Sequence, residues 1–61
     1  MKYWQLEKLC LENAYSVRRI GKSYFWKKNL EDKTQSCDTV VETYNEILKD
    51  IQKRKNYEKV K

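Results

Sequence analysis

The chain has no histidine, no proline and one glycine, Gly21, among its 61 residues. Without histidine it lacks the side chain that most often serves as general base near neutral pH, and no serine or cysteine stands beside an obvious substitute. One glycine cannot build a phosphate-cradling loop, and a domain this short has no room for an ordinary ligand cleft. We therefore expect a non-enzymatic protein with no catalytic residues, no metal and no cofactor. The two cysteines, Cys10 and Cys37, are far apart and form no Cys-x-x-Cys pair. A zinc site would need carboxylates to complete it. Missing too are a signal-peptide pattern and any apolar run near the roughly 18 residues of a membrane span. Those absences predict a cytoplasmic protein with reduced thiols acting as small apolar fillers.

The scarcity of turn residues also argues against an all-β fold, which needs them at regular spacing. A chain of this size buries only about 60% of the surface its unfolded form exposes. Its core is therefore small, and self-association as a homodimer is the simplest way to enlarge it. Charged residues make up 38% of the chain, a level compatible with disorder, but the apolar residues recur at helical spacing.

From Lys2 to Ile20, the residues Tyr3, Leu6, Leu9, Cys10, Ala14, Val17 and Ile20 fall on one helical face. Gly21 then fits a C-terminal cap, with Arg18 and Arg19 in the last turn where the dipole favours cations. Trp4, Leu11 and Tyr15 form a second strip beside that face, read either as the rim of the core or as a protein-binding surface. In a second helix, about 37–55, Val40, Val41, Tyr44, Ile47, Leu48 and Ile51 share a narrow arc. Ser36 is the preferred N-cap over Thr34 and Asp38. Asp38, Glu42, Glu46 and Asp50 recur every four residues, a ridge read as a solvated face opposite the core. It is too one-sided to coordinate a hard cation. Residues 56–61 read as a basic, fraying tail of a single domain spanning 1–61.

Between the helices, Tyr24, Phe25 and Trp26 could form a strand, but no partner strand is evident. A short helix capped by Ser23 places Trp26 and Leu30 on one side and is preferred. The expected fold is all-α: a hairpin of two long amphipathic helices, 2–20 and 37–55, joined by a short aromatic-rich helical connector and self-associating.

Function is carried by the stretch from Val17 to Lys28, which holds five cations, three consecutive aromatics and no acid, in a chain of net charge +5. Cations beside flat rings suit nucleic acid, with phosphates met by Arg18, Arg19, Lys22, Lys27 and Lys28 and a base stacked on Tyr24 or Trp26. Lys53, Arg54 and Lys55 form a second basic group. In a helical hairpin the two groups lie at opposite ends, roughly 25–30 Å apart by helix rise. A helix-turn-helix built around Gly21 fits poorly, because Lys22 and Lys27 fall where that motif buries aliphatics. The ordinary reading of such a stretch is a solvated helix end whose aromatics serve the core. We expect a small regulatory protein that binds nucleic acid or a nucleic-acid-bound complex. The alternative is an inhibitor or adaptor docking an acidic or nucleic-acid-associated protein through Trp4, Leu11, Tyr15 and the connector aromatics. An anionic membrane surface is the least favoured partner.

Overall fold

The computed structural model describes residues 1–59, with side chains through Lys55. Helix α1 (Tyr3–Glu12) leads into a meander of β1 (Tyr15–Ile20), β2 (Ser23–Lys28) and β3 (Gln35–Cys37), and helix α2 (Val40–Lys59) follows. The strands pair antiparallel in the order β1-β2-β3. The protein is thus an α+β fold, and the all-α helical hairpin expected from periodicity is corrected: residues 15–28 are a β-hairpin. The proposed fraying tail at 56–61 includes residues 60 and 61, which lie outside the described part.

Two backbone features account for the difference. First, α1 stops well before Ile20, although no glycine or proline marks the end. Asn13 caps it, with its N–H on the Cys10 carbonyl and its side-chain amide donating to the Leu9 carbonyl at 3.0 Å. Ala14 then turns the chain at φ +60°, the left-handed conformation usually left to glycine. Second, Gly21 has φ +61° and, with Lys22 at negative φ, makes a two-residue turn with glycine first. Such a turn matches the twist of the strands it joins. A helix cap and this turn both require positive φ, so Gly21 alone does not distinguish them. In Ala14 the left-handed backbone costs about 1–2 kcal/mol in steric strain. Ala14→Gly is accordingly expected to stabilise the domain by about 0.5–1 kcal/mol, read as a higher urea midpoint at unchanged slope.

Cross-strand partners share a face. Tyr15, Val17, Arg19, Tyr24, Trp26, Lys28, Gln35 and Cys37 form one face, and Ser16, Arg18, Ile20, Ser23, Phe25, Lys27 and Ser36 the other. Both helices pack on the first. The buried core is Leu6 and Cys10 from α1, Tyr15 and Trp26 from the sheet, and Ile47 from α2, flanked by Tyr3, Leu9, Val17, Cys37, Val40, Tyr44 and Ile51. Burial raises the Cys10 thiol to about 11, with nearby Glu7 adding to the effect, as suits an inert apolar filler. Tyr15 and Trp26 therefore leave the interface sets to which the sequence reading assigned them, because their rings are needed inside.

Thr39, rather than Ser36, caps α2: the Glu42 N–H donates to Thr39 Oγ1 at 3.0 Å, and Glu42 Oε2 accepts from the Asp38 N–H. Ser36 is a β3 residue. Three strands intervene between the helices, an odd number of passes, so α1 and α2 run in the same direction. Tyr3 packs on Tyr24 with ring centroids 5.8 Å apart near the Gly21–Lys22 turn. At the far end the Asn13 carbonyl accepts from Lys28 Nζ, and Asp50 reaches Tyr15. Among the described residues no helix is long and apolar enough to cross a membrane.

Candidate functional site

The five cations of the Val17–Lys28 stretch separate once the hairpin forms. Alternation along β1 and β2 sends Arg18 and Lys27 to the open face of the sheet and Arg19 and Lys28 to the helix-covered face. Lys22 stands in the turn between the strands.

On the open face Phe25 occupies the central strand, directly between Arg18 of β1 and Ser36 of β3. It is half-buried, and Ser16, Arg18, Ile20, Phe25, Lys27 and Thr34 border a shallow groove of about 410 Å³. Ile20 is 57% exposed there. None of the seven residues on this face is acidic, so the field above Phe25 is set by Arg18 and Lys27. The helix N-termini point toward the turn end, and their dipoles add positive potential near Lys22 and Arg18.

On the covered face the cations are already engaged. The Arg19 guanidinium lies over the Tyr24 ring at 5.8 Å, and Tyr24 leans on Tyr3. Lys28 Nζ sits 4.8 Å above the Tyr15 ring and donates to the Asn13 carbonyl at 2.7 Å. Lys28 borders a groove with Lys53, Arg54 and Lys55. The expected separation of the two basic groups is therefore corrected for this residue, because β2 returns Lys28 to the end of the sheet that α2 passes. Arg54 is not free in this groove. Its Nε donates to Asp50 at 2.8 Å and its terminal nitrogens grip both Glu31 oxygens at 2.8 and 3.0 Å. The two carboxylates push the Arg54 guanidinium still higher than its ordinary value, Glu31 foremost. Lys53 and Lys55 remain exposed.

The protein-facing strip resolves differently. Trp4 and Leu11 are exposed on α1, at 59% and 82%, while Tyr15 lies inside on β1. The acidic ridge stays in water at Asp38, Glu42 and Glu46, which are exposed, and leaves it only at Asp50. Positions four apart advance about 40° around a helix, so a row that begins on the outer face at Glu42 reaches the core flank at Asp50. There Asp50 accepts a hydrogen bond from the Tyr15 hydroxyl.

Phe25 is the functional candidate that sequence reasoning passed over in favour of Tyr24 and Trp26. The signal for it was the composition of 15–20 and 23–28, where six of twelve residues are aromatic or β-branched, on either side of a two-residue loop that opens with glycine. No model of a known protein family matches this chain, and no curated protein or solved structure does either.

Proposed function

We propose that this is a small, non-enzymatic regulatory protein that binds single-stranded nucleic acid on the open face of its sheet. The observation that carries this reading is the acid-free face on which Arg18 and Lys27 flank the half-buried Phe25 ring. An unpaired base offers a flat surface to a ring in that position, and phosphates on either side meet the two cations. A paired base has both faces occupied by its neighbours, so a flat sheet with one ring favours single strands over duplex. Lys22 extends the positive track to the turn. Tyr24 and Arg19 lie on the other face and contribute only at the turn end. A cytoplasmic setting belongs to the same reading, with Cys10 and Cys37 as free thiols.

Fluorescence anisotropy with a labelled single-stranded oligonucleotide tests the reading. Binding is expected to weaken with salt, and removing two phosphate contacts in Arg18→Ala/Lys27→Ala is expected to lower the log–log salt slope by about 1.4. Phe25→Ala is expected to weaken binding about tenfold with far-UV circular dichroism unchanged. No binding at low salt, or equal affinity in all three proteins, would refute it.

The second reading, a protein-contacting surface, is favoured by the exposure of Trp4 and Leu11 on one helix.

A further inference from the structure

Beyond the open face, the outer edge of β1 carries backbone groups without partners. The Asn29 N–H donates to the Ala14 carbonyl at 2.9 Å, and this bond fixes the phase of the ladder. In an antiparallel pair, residues that bond their opposite number alternate with residues that do not. Ala14 bonds Asn29, so Ser16, Arg18 and Ile20 bond across to β2. The N–H and C=O groups of Tyr15, Val17 and Arg19 then point away from β2, along the free edge. Among the described residues no backbone or side-chain group pairs with those of Val17 or Arg19.

The flank of α1 above this edge is also uncovered. Helix α1 packs over β1, and α2 over β2 and β3. On α1 the side that includes Trp4, Gln5, Lys8, Leu9 and Glu12 borders a groove with Tyr44 of α2. At about 100° per residue Leu11 falls nearly opposite Leu9, on the flank over the free edge. Among the described side chains, Leu11 is the most exposed large apolar one of either helix.

We propose that two copies of this chain associate β1 to β1, antiparallel, about a two-fold axis through Val17. The edge pattern permits three registers, and charge selects among them. Centring on Val17 sets the outward groups of Val17 against themselves and those of Tyr15 against Arg19. Arg18 then faces the partner's Ser16, and Arg19 faces the partner's Tyr15, so no cation opposes a cation. Moving the centre to Arg18 places two arginines directly opposite, which is unfavourable. Moving it to Ser16 shortens the pairing. The same axis lays the two α1 helices antiparallel, so the Trp4 end of one approaches the Leu11 end of the other. A lone extended peptide would satisfy the edge but leave Leu11 uncovered, whereas a second copy covers both. Pairing makes one six-stranded sheet whose open face carries two sets of Arg18, Phe25 and Lys27. This inference goes beyond the proposed function and stands whether or not nucleic acid binds.

Sedimentation equilibrium of the full chain tests it, with three variants. Leu11→Lys charges an exposed site and is expected to raise the dimer dissociation constant about tenfold or more without changing the circular dichroism. Val17→Pro removes a donor that points outward and takes no ladder bond to β2, so it is expected to give a folded monomer. Leu48→Lys, on α2 away from the edge, is expected to leave the dimer intact. A wild-type mass of twice 7.5 kDa that falls in the first two variants supports the proposal. A monomeric wild type at high micromolar concentration overturns it, as does a dimer insensitive to Leu11→Lys or lost in Leu48→Lys. If Val17→Pro fails to fold, Leu11→Lys decides.

Discussion

Trp26→Ala is expected to leave most of the chain unfolded at 25 °C. Trp26 sits in the central strand, between Val17 of β1 and Gln35 of β3, and is 7% exposed. Its ring lies 5.9 Å from that of Tyr15 at an interplanar angle of 53°, so the two largest core side chains brace each other. Truncating a buried aromatic to alanine costs about 3–5 kcal/mol. A domain of this size has little to spare, since typical stabilities start at about 5 kcal/mol and small chains lie at the low end. Thermal melts followed by far-UV circular dichroism should show the cooperative transition lost or moved far down. Trp26→Phe sharpens the test. Among the described residues the Trp26 Nε1–H has no acceptor, so the phenyl ring keeps much of the packing and removes a buried donor without a partner. It is expected to fold, with a much smaller loss than the alanine variant. Trp4→Ala, at an exposed position of α1, is expected to leave the melt close to wild type. A native melt in Trp26→Ala would mean that the ring is not part of the core.

The same residue shows how far the sequence alone reaches. That at least one of the three consecutive aromatics must be buried followed from their size, and the structure buries Trp26. Which face each ring takes depends on whether the period is 3.6 or 2. Tyr3, Leu6, Cys10, Val17 and Ile20 satisfy the helical period well enough to hide a change of element at Ala14. That change has no glycine or proline to announce it, because Asn13 and a strained Ala14 do the work instead. A strand also depends on its partners: β2 pairs along its length with β1, whose residues fit the helical period as well, and with the three-residue β3, too short to leave a pattern. Helix α2 was legible because its apolar positions and its acids-first charge order are local. Its start was legible in principle too, in the Thr39-x-x-Glu42 box. The stretch from Val17 to Lys28 concentrates five cations and three rings, which the sequence shows directly. That Arg18, Phe25 and Lys27 share the open face becomes visible only with the strand register.

Asp50→Asn is expected to destabilise the domain by about 1–3 kcal/mol near neutral pH, and to do so through three segments at once. Asp50 of α2 accepts from the buried Tyr15 hydroxyl at the start of β1 and from Arg54 one turn on, and Arg54 holds Glu31 in the segment between β2 and β3. Burial works to raise the Asp50 carboxyl, but the Tyr15 hydroxyl and the Arg54 guanidinium outweigh it and hold it below its ordinary value of 3.8. Arg54 likewise holds Glu31 below 4.5. Both groups bind protons less readily in the folded chain than in the unfolded one. Their contribution is therefore complete above those ordinary values and is lost as pH falls through the depressed folded ones. Tyr15 has the opposite sense. Burial first, and then the hydrogen bond to Asp50, raise its hydroxyl from 10.0 to about 12. Its contribution is present below pH 10 and is lost as pH rises from 10 toward 12, where the unfolded phenol ionises and the folded one does not. Urea midpoints measured from pH 2 to 12 should therefore fall at both ends. Asp50→Asn should flatten the acid limb, and Tyr15→Phe should flatten the alkaline limb while leaving the Asp50–Arg54–Glu31 grip in place. If the double variant loses only the sum of the two single losses, the Tyr15–Asp50 bond is not a coupled contact and the cluster does not pin the strand to the helix.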